Sequence, residues 1–116
     1  MLLFCRAEQP EAVKEALVAP LLAGLASHHA GCLPAWKALV ERCFQQGLLK
    51  VVFATETLAA GINMPARTTV ISTLSRRRDN GHSALLHNEL LQMAGRAGRR
   101  GFDTAGAAHA HTQSMA

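Results

Sequence analysis

The sequence predicts an α/β domain in which a parallel sheet packs between helices, and three observations carry that expectation. Residues 48–54 (Leu-Leu-Lys-Val-Val-Phe-Ala) and 69–74 (Thr-Val-Ile-Ser-Thr-Leu) are apolar, β-branched runs of strand length without alternation, the pattern of strands covered on both faces. Stretches with helical spacing alternate with them, and that order implies right-handed crossovers. Each polar, chemistry-bearing stretch directly follows a predicted strand or helix, and open parallel sheets gather ligands at the carboxyl ends of their strands.

Residues 10–18 read as the first helix, opened by Pro10 or Glu11, with Val13, Ala16 and Leu17 on one face. Pro20 is expected to end or kink it, and Leu21, Leu22 and Leu25 continue the apolar run. Residues 26–31 (Ala-Ser-His-His-Ala-Gly) suggest a short buried strand that delivers a polar loop. The next helix is clearer: Pro34 suits its first position, and Trp36, Leu39, Val40, Cys43 and Phe44 share one side. Lys37, Glu41, Arg42 and Gln45 take the other side, and Gly47 ends it. After the two strands, residues 76–82, with Asp79-Asn80-Gly81 inside, form a polar turn or a longer loop. Asn88 is expected to cap a helix of about two turns through Glu89, Leu90, Leu91 and Met93 that ends near Gly95. Residues 1–106 are assigned to the domain and 107–116, rich in Ala, His, Thr and Ser, to a tail.

Composition excludes several classes. At 116 residues the chain holds one domain at most, and with 49% apolar residues it is not a disordered segment. No apolar run is long enough to span a bilayer, and residues 1–6 are too short and too weakly charged for a signal peptide, so no membrane partner is expected. Cys5, Cys32 and Cys43 are odd in number and form no Cys-x-x-Cys pair, which reads as free thiols, with Cys43 in a core. His28, His29, His109 and His111 lack companion ligands at metal spacing, so no metal site is assigned. Tyrosine is absent, which argues against an aromatic platform for stacking bases. Charge is uneven. Through Ala66, Arg6, Lys14, Lys37, Arg42 and Lys50 are balanced by Glu8, Glu11, Glu15, Glu41 and Glu56, whereas residues 67–100 hold seven arginines against Asp79 and Glu89. That asymmetry suggests a surface facing phosphate, although a solvated basic face has the same composition.

Two stretches concentrate the chemistry. Residues 92–101 (Gln-Met-Ala-Gly-Arg-Ala-Gly-Arg-Arg-Gly) place Arg96, Arg99 and Arg100 among Gly95, Gly98 and Gly101. Forked guanidinium groups separated by residues that admit close approach suit a polyanion, yet by itself such a run also describes a solvated loop. Residues 54–66 (Ala-Thr-Glu-Thr-Leu-Ala-Ala-Gly-Ile-Asn-Met-Pro-Ala) offer hydroxyls and backbone amides to phosphates, and Asn63 offers a donor and an acceptor to a sugar hydroxyl. Standing alone, this stretch equally describes an ordinary strand-to-helix connection capped by Thr55 or Thr57.

Together, in this order and about thirty residues apart, the two stretches closely resemble motifs V and VI of DExH-box RNA helicases of the superkiller-like branch of superfamily two. Residues 28–34 (His-His-Ala-Gly-Cys-Leu-Pro) resemble that branch's His-His-Ala-Gly segment, and the likeness spans residues 10–104. It is nearest to the plant and algal chloroplast helicases. The resemblance implies the second of two RecA-like domains, with ATP between the domains, Mg²⁺ held by the first, and RNA crossing both. It implies that Arg96 and Arg99 reach the ATP phosphates and that Gln92 helps order the γ-phosphate or attacking water. Gly61 and Asn63 would lie near the ribose. Thr55 and Thr57 would face the nucleic-acid backbone, with His29 to Gly31 as the loop alongside. This assignment requires Arg96 and Arg99 to share an exposed edge with the loop around Gly61 and Asn63. A pre-placed arginine fork stabilises charge developing on a transferring phosphoryl group, and hydrolysis then depends on closure between the domains.

The chain departs from the family pattern in carrying no Gly-x-x-x-x-Gly-Lys-Ser/Thr loop and no Asp-Glu-x-His. The phosphate cradle, Mg²⁺ ligands and water-activating carboxylate are therefore expected on a first RecA-like domain, in cis or in trans. The domain's usual opening strand is poorly matched by residues 1–6, and residues 106–111 fit a further strand poorly, so the expected sheet is incomplete. Two alternatives compete: a non-enzymatic module that binds RNA through its basic face, and a non-functional truncated gene product. The basic-face alternative predicts RNA binding that weakens steeply with salt in a filter-binding titration and is lost when Arg76, Arg77 and Arg78 are changed together. RNA affinity indifferent to ionic strength removes it.

Overall fold

The computed structural model describes residues 14–55, 64 and 66–110, with the backbone alone for residues 76–78. They fall into two units, Met1–Met64 and Pro65–Ala116. In the first, helix α1 (Glu15–Leu22) leads into strand β1 (Leu25–His28), helix α2 (Pro34–Gln45) and strand β2 (Val51–Ala54). The second contains β3 (Thr68–Ile71), β4 (Ser75–Arg78), β5 (Gly81–Ala84), helix α3 (His87–Ala94) and β6 (Ala107–Ala110).

Of the two outcomes expected at Pro20, an end or a kink of the first helix, the end is corrected, because α1 runs through Pro20 to Leu22. Proline at the sixth of eight positions removes only the bond to the Ala16 carbonyl, and the chain then closes normally. The amides of Ala23 and Gly24 donate to the carbonyls of Ala19 and Leu21 at 3.1 and 3.0 Å. The part of that predicted helix before residue 14 lies outside the described residues.

β1 and β2 pair parallel, with Leu25 opposite Val51 and Ala26 opposite Val52, and α2 connects them. α2 matches the expected span, with Pro34 at its start and Gly47 just beyond its end. Gly47 has φ +72°, which lets Leu48 N–H reach the Cys43 carbonyl at 2.9 Å and Gly47 N–H reach that of Phe44 at 3.0 Å. That pair of bonds is a Schellman closure. Open space surrounds this glycine, so backbone sign rather than crowding selects it.

The core of this unit is Leu21, Ala26, Trp36, Leu39, Val40, Cys43 and Leu49, with Val52 and Phe44 packed against it. Full burial of each large aliphatic contributes about 1.5–3 kcal/mol. Two polar links fix α2 on β1. Trp36 Nε1–H donates to the Ser27 carbonyl at 2.8 Å, and His28 Nε2 bonds Glu41 Oε1 at 2.8 Å. His28 is 3% exposed, and its Nδ1 has no partner among the described residues.

The expectation that residues 48–54 and 69–74 are covered on both faces is corrected for β2 and β3. Val51, Phe53 and Val70 are exposed, Phe53 by 65% and Val70 by 71%. A short, two-stranded sheet leaves an apolar groove of about 250 Å³ lined by Leu17, Pro20, Leu25, Trp36 and Phe53.

In the second unit, β3 and β6 pair parallel, with Thr68 opposite Ala107 and Ile71 opposite Ala110. Residues 107–110, expected in the tail, thus form a strand held by its backbone, and all four remain exposed. Residues 76–82, expected as a turn or loop, belong to an antiparallel hairpin in which Ser75 pairs with Ala84 and Arg78 with Gly81. Asp79 and Asn80 supply its two-residue turn, and an arginine run without apolar alternation concealed the flanking strands. α3 begins one residue before Asn88, and its cap also differs from expectation. Glu89 reaches back to accept the Leu86 N–H at 2.7 Å, while Asn88 Oδ1 accepts only the neighbouring Glu89 N–H at 2.9 Å.

The His28–Glu41 link yields a stability prediction. Glu41→Ala leaves a buried imidazole with neither nitrogen bonded and is expected to lower unfolding free energy by about 1–3 kcal/mol in urea denaturation. Glu41→Gln keeps an acceptor and is expected to lose less than half of that. An unchanged midpoint in both variants contradicts the role.

Candidate functional site: the arginine loop and the strand ends

Because β1 and β2 are parallel, their carboxyl ends emerge together and bring two predicted segments to one edge. Thr55 follows β2 and is tied to the end of β1, its N–H donating to the His28 carbonyl at 3.4 Å. The loop after β1 is shaped locally: His29 Nδ1 accepts the Gly31 N–H at 3.1 Å, and the His29 carbonyl accepts the Cys32 N–H at 3.0 Å. Thr55, His29 and Gly31 are all exposed. Thr57, Gly61 and Asn63 lie outside the described residues, so the edge expected between Asn63 and the arginines does too.

In the second unit, Gln92 is exposed on α3, and Arg96 and Arg99 follow in the loop beyond that helix. Backbone contacts hold this loop. Ala66 pairs with it as a parallel bridge, its N–H donating to the Arg96 carbonyl at 2.9 Å and its carbonyl accepting the Gly98 N–H at 2.7 Å. The chain turns at Gly98 (φ +94°) and Gly101 (φ +83°) before entering β6. Gly106 backs directly onto the loop. A Cβ there would collide with the Gly98 nitrogen and lie 2.6 Å from the Ala97 carbonyl oxygen, so any side chain pushes the arginine loop aside.

Between Arg99 and Asp103 the chain closes on itself. Asp103 Oδ2 accepts both the Arg99 backbone N–H and Nε–H at 2.9 Å, and Oδ1 accepts Nη2–H at 2.9 Å. The Asp103 N–H donates in return to the Arg99 carbonyl at 2.9 Å. The Phe102 ring, 84% exposed, lies with its centroid 5.9 Å from the guanidinium carbon. The Arg99 side-chain hydrogen bonds, then its backbone N–H, hold the Asp103 carboxyl down at about 2, with further help from the charges of Arg99 and Arg67. The same pairing raises Arg99.

Sequence reasoning singled out Arg99 but not Asp103, although a spacing of four between opposite charges marks a candidate pair. It also missed Ala66, whose contribution is backbone alone and leaves no trace in residue type. No helix among the described residues is long and apolar enough to cross a membrane.

Comparison with known proteins agrees with the resemblance to DExH-box RNA helicases. The family of the helicase conserved C-terminal domain matches residues 1–101. The chain is 65% identical over 97 residues to the chloroplastic DExH-box ATP-dependent RNA helicase DExH15 of Arabidopsis thaliana, covering 84% of this chain and 8% of that protein. It is 57% identical over 86 residues to the probable helicase HelY of Mycobacterium tuberculosis, covering 74% of this chain and 10% of that protein. With superkiller complex protein 2 of Homo sapiens it shares 53% identity over 83 residues, 72% of this chain and 7% of that one. The chain therefore spans about a tenth or less of the length of these relatives.

The depressed Asp103 carboxyl fixes a pH dependence. Its folded value lies below its ordinary 3.8, so the stabilisation of the turn is complete above that range and is lost as pH falls through about 2. Carbon-13 titration of the Asp103 carboxyl is expected to show a midpoint near 2. A midpoint near 3.8 means that the pair does not form in solution.

Proposed function

The chain belongs to the helicase conserved C-terminal domain family, RecA-like in fold, and from that premise we propose that it supplies the motif V and VI half of an ATP-dependent DExH-box RNA helicase. The short parallel sheets with flanking helices are a small and incomplete version of that fold. In this reading residues 1–106 are the helicase portion. Arg96 and Arg99 reach the phosphates of ATP, and Gln92 orders the γ-phosphate or the attacking water. Gly61 and Asn63 lie near the ribose, while Thr55, Thr57, His29 and Gly31 meet the RNA backbone.

The observation that carries the reading is the Arg99 loop. It presents a half-exposed guanidinium, its plane fixed by Asp103, on a segment clamped by backbone bonds. A group held in place before reaction stabilises developing negative charge without reorganising, as a phosphoryl-transfer site requires. The residues present thus fit a triphosphate. ATP and its Mg²⁺ would supply the phosphoryl group and its charge neutralisation, and a first RecA-like domain would hold both. This chain's own residues would orient phosphate oxygens, order a water through Gln92, and grip the RNA strand at the ends of β1 and β2. Thr55 beside the His29–Gly31 loop supports the last role, since an exposed polar edge suits a nucleic-acid backbone. A chloroplast location is part of the proposal, resting on likeness to the chloroplastic relative.

The chain alone is expected to show no ATPase activity in a phosphate-release assay, because its sequence contains no Walker loop and no Asp-Glu-x-His. Supplying a first RecA-like domain of the same branch is expected to restore RNA-stimulated turnover. Arg99→Ala is expected to lower that turnover by about 10³-fold or more. Robust RNA-stimulated hydrolysis by the isolated chain would falsify the proposal.

A further inference from the structure

A guanidinium has two edges that each offer a parallel pair of N–H donors, Nε with Nη2 and Nη1 with Nη2. Asp103 occupies only the first. Nη1 has no partner among the described residues, and the Arg99 side chain is 45% exposed while that of Asp103 is 7% exposed. The carboxylate is thus largely covered and bonded to its own loop, while the arginine keeps an unbonded Nη1 on a half-exposed side chain.

We propose that Asp103 is a positioning residue for Arg99: it grips the Nε/Nη2 edge and thereby presents the Nη1/Nη2 edge to phosphate oxygens. This rests on the reading of Arg99 as a phosphate ligand given above. Three features distinguish the arrangement from an incidental surface ion pair. First, the same carboxylate oxygen also accepts the Arg99 backbone N–H, so main chain and side chain are fixed relative to each other. Second, the Asp103 N–H returns a bond to the Arg99 carbonyl, closing the five residues into one turn. Third, Phe102 lies against the guanidinium and further restricts its rotation. A free arginine side chain loses considerable rotamer freedom on binding, and a guanidinium already held loses less. The opposite role, a carboxylate that competes with phosphate for the arginine, requires phosphate to take the Nε/Nη2 edge that Asp103 covers, whereas the Nη1/Nη2 edge still offers a parallel pair of donors.

Two measurements test this. In the 116-residue chain, the Arg99 Nε–Hε signal in nitrogen-15 NMR is expected to exchange slowly with water. Asp103→Asn is expected to speed that exchange at least about tenfold, and equal exchange in the two proteins overturns the proposal. In the ATPase assay with a first RecA-like domain supplied, Asp103→Asn is expected to lower kcat by about ten- to a hundredfold with KM within about twofold. Asp103→Glu, which keeps the charge, is expected to recover part of the loss. Faster turnover or a lower KM in Asp103→Asn identifies a competing carboxylate and overturns the proposal, as does unchanged kcat where Arg99→Ala is inactive. If Arg99→Ala itself leaves turnover intact, the phosphate reading of Arg99 fails and the proposed presentation to phosphate fails with it, while the exchange measurement still decides whether Asp103 holds the guanidinium.

Discussion

A contact between two stretches of backbone governs the arginine loop. Gly106 sits so close to Ala97 and Gly98 that hydrogen is the only substituent it accommodates. The loop is also bonded to Ala66 through both main-chain polar groups of that residue. Held by two separate stretches of main chain, the loop has little conformational freedom left. Arg99 therefore starts from a defined origin, and the Asp103 turn defines its direction. An arginine on an unanchored loop would carry the same charge but would have to be ordered at the moment of contact, with a corresponding entropic cost.

In the first unit a comparable economy comes from the parallel pairing of β1 and β2. Their shared direction brings two segments distant in sequence, residues 29–31 and Thr55, to one edge. α2 keeps that edge in place through an apolar face and two polar links, Trp36 to the Ser27 carbonyl and Glu41 to His28. His28 is the first residue of the His-His-Ala-Gly segment, yet it is buried and bonded to the helix, whereas His29 is exposed and shapes the loop. Adjacent and chemically identical residues thus have separate tasks, assigned by the alternation of a strand that ends between them.

What could be read from residue type was what side chains determine. The Pro34 start, the Trp36–Leu39–Val40–Cys43 face and the Gly47 stop of α2 are written in the sequence, as are the apolar runs at β2 and β3. The helicase family was legible for a related reason, because the likeness is carried by residue types in a fixed order, Thr, Gly and Asn in residues 54–66 and Arg and Gly in residues 92–101. What escaped was decided by backbone or by partners remote in type. β4 and β5 lack apolar alternation, and β6 is Ala-Ala-His-Ala, so neither hydropathy nor β-propensity marks them. Pro20 reads as an end or a kink, but a proline late in a short helix removes one bond only and α1 does not end there. Asp103 carries little mark in residue type, being the single anion in an arginine-rich stretch, four residues beyond Arg99.

β6 joins β3 through main-chain groups while none of its four side chains enters a core. Such a strand exerts almost no selection on the identity of its residues beyond excluding proline where a ladder bond is donated. Its sequence can drift widely among descendants while the ladder persists. Kinship at this edge would then survive in coordinates long after it had vanished from alignment.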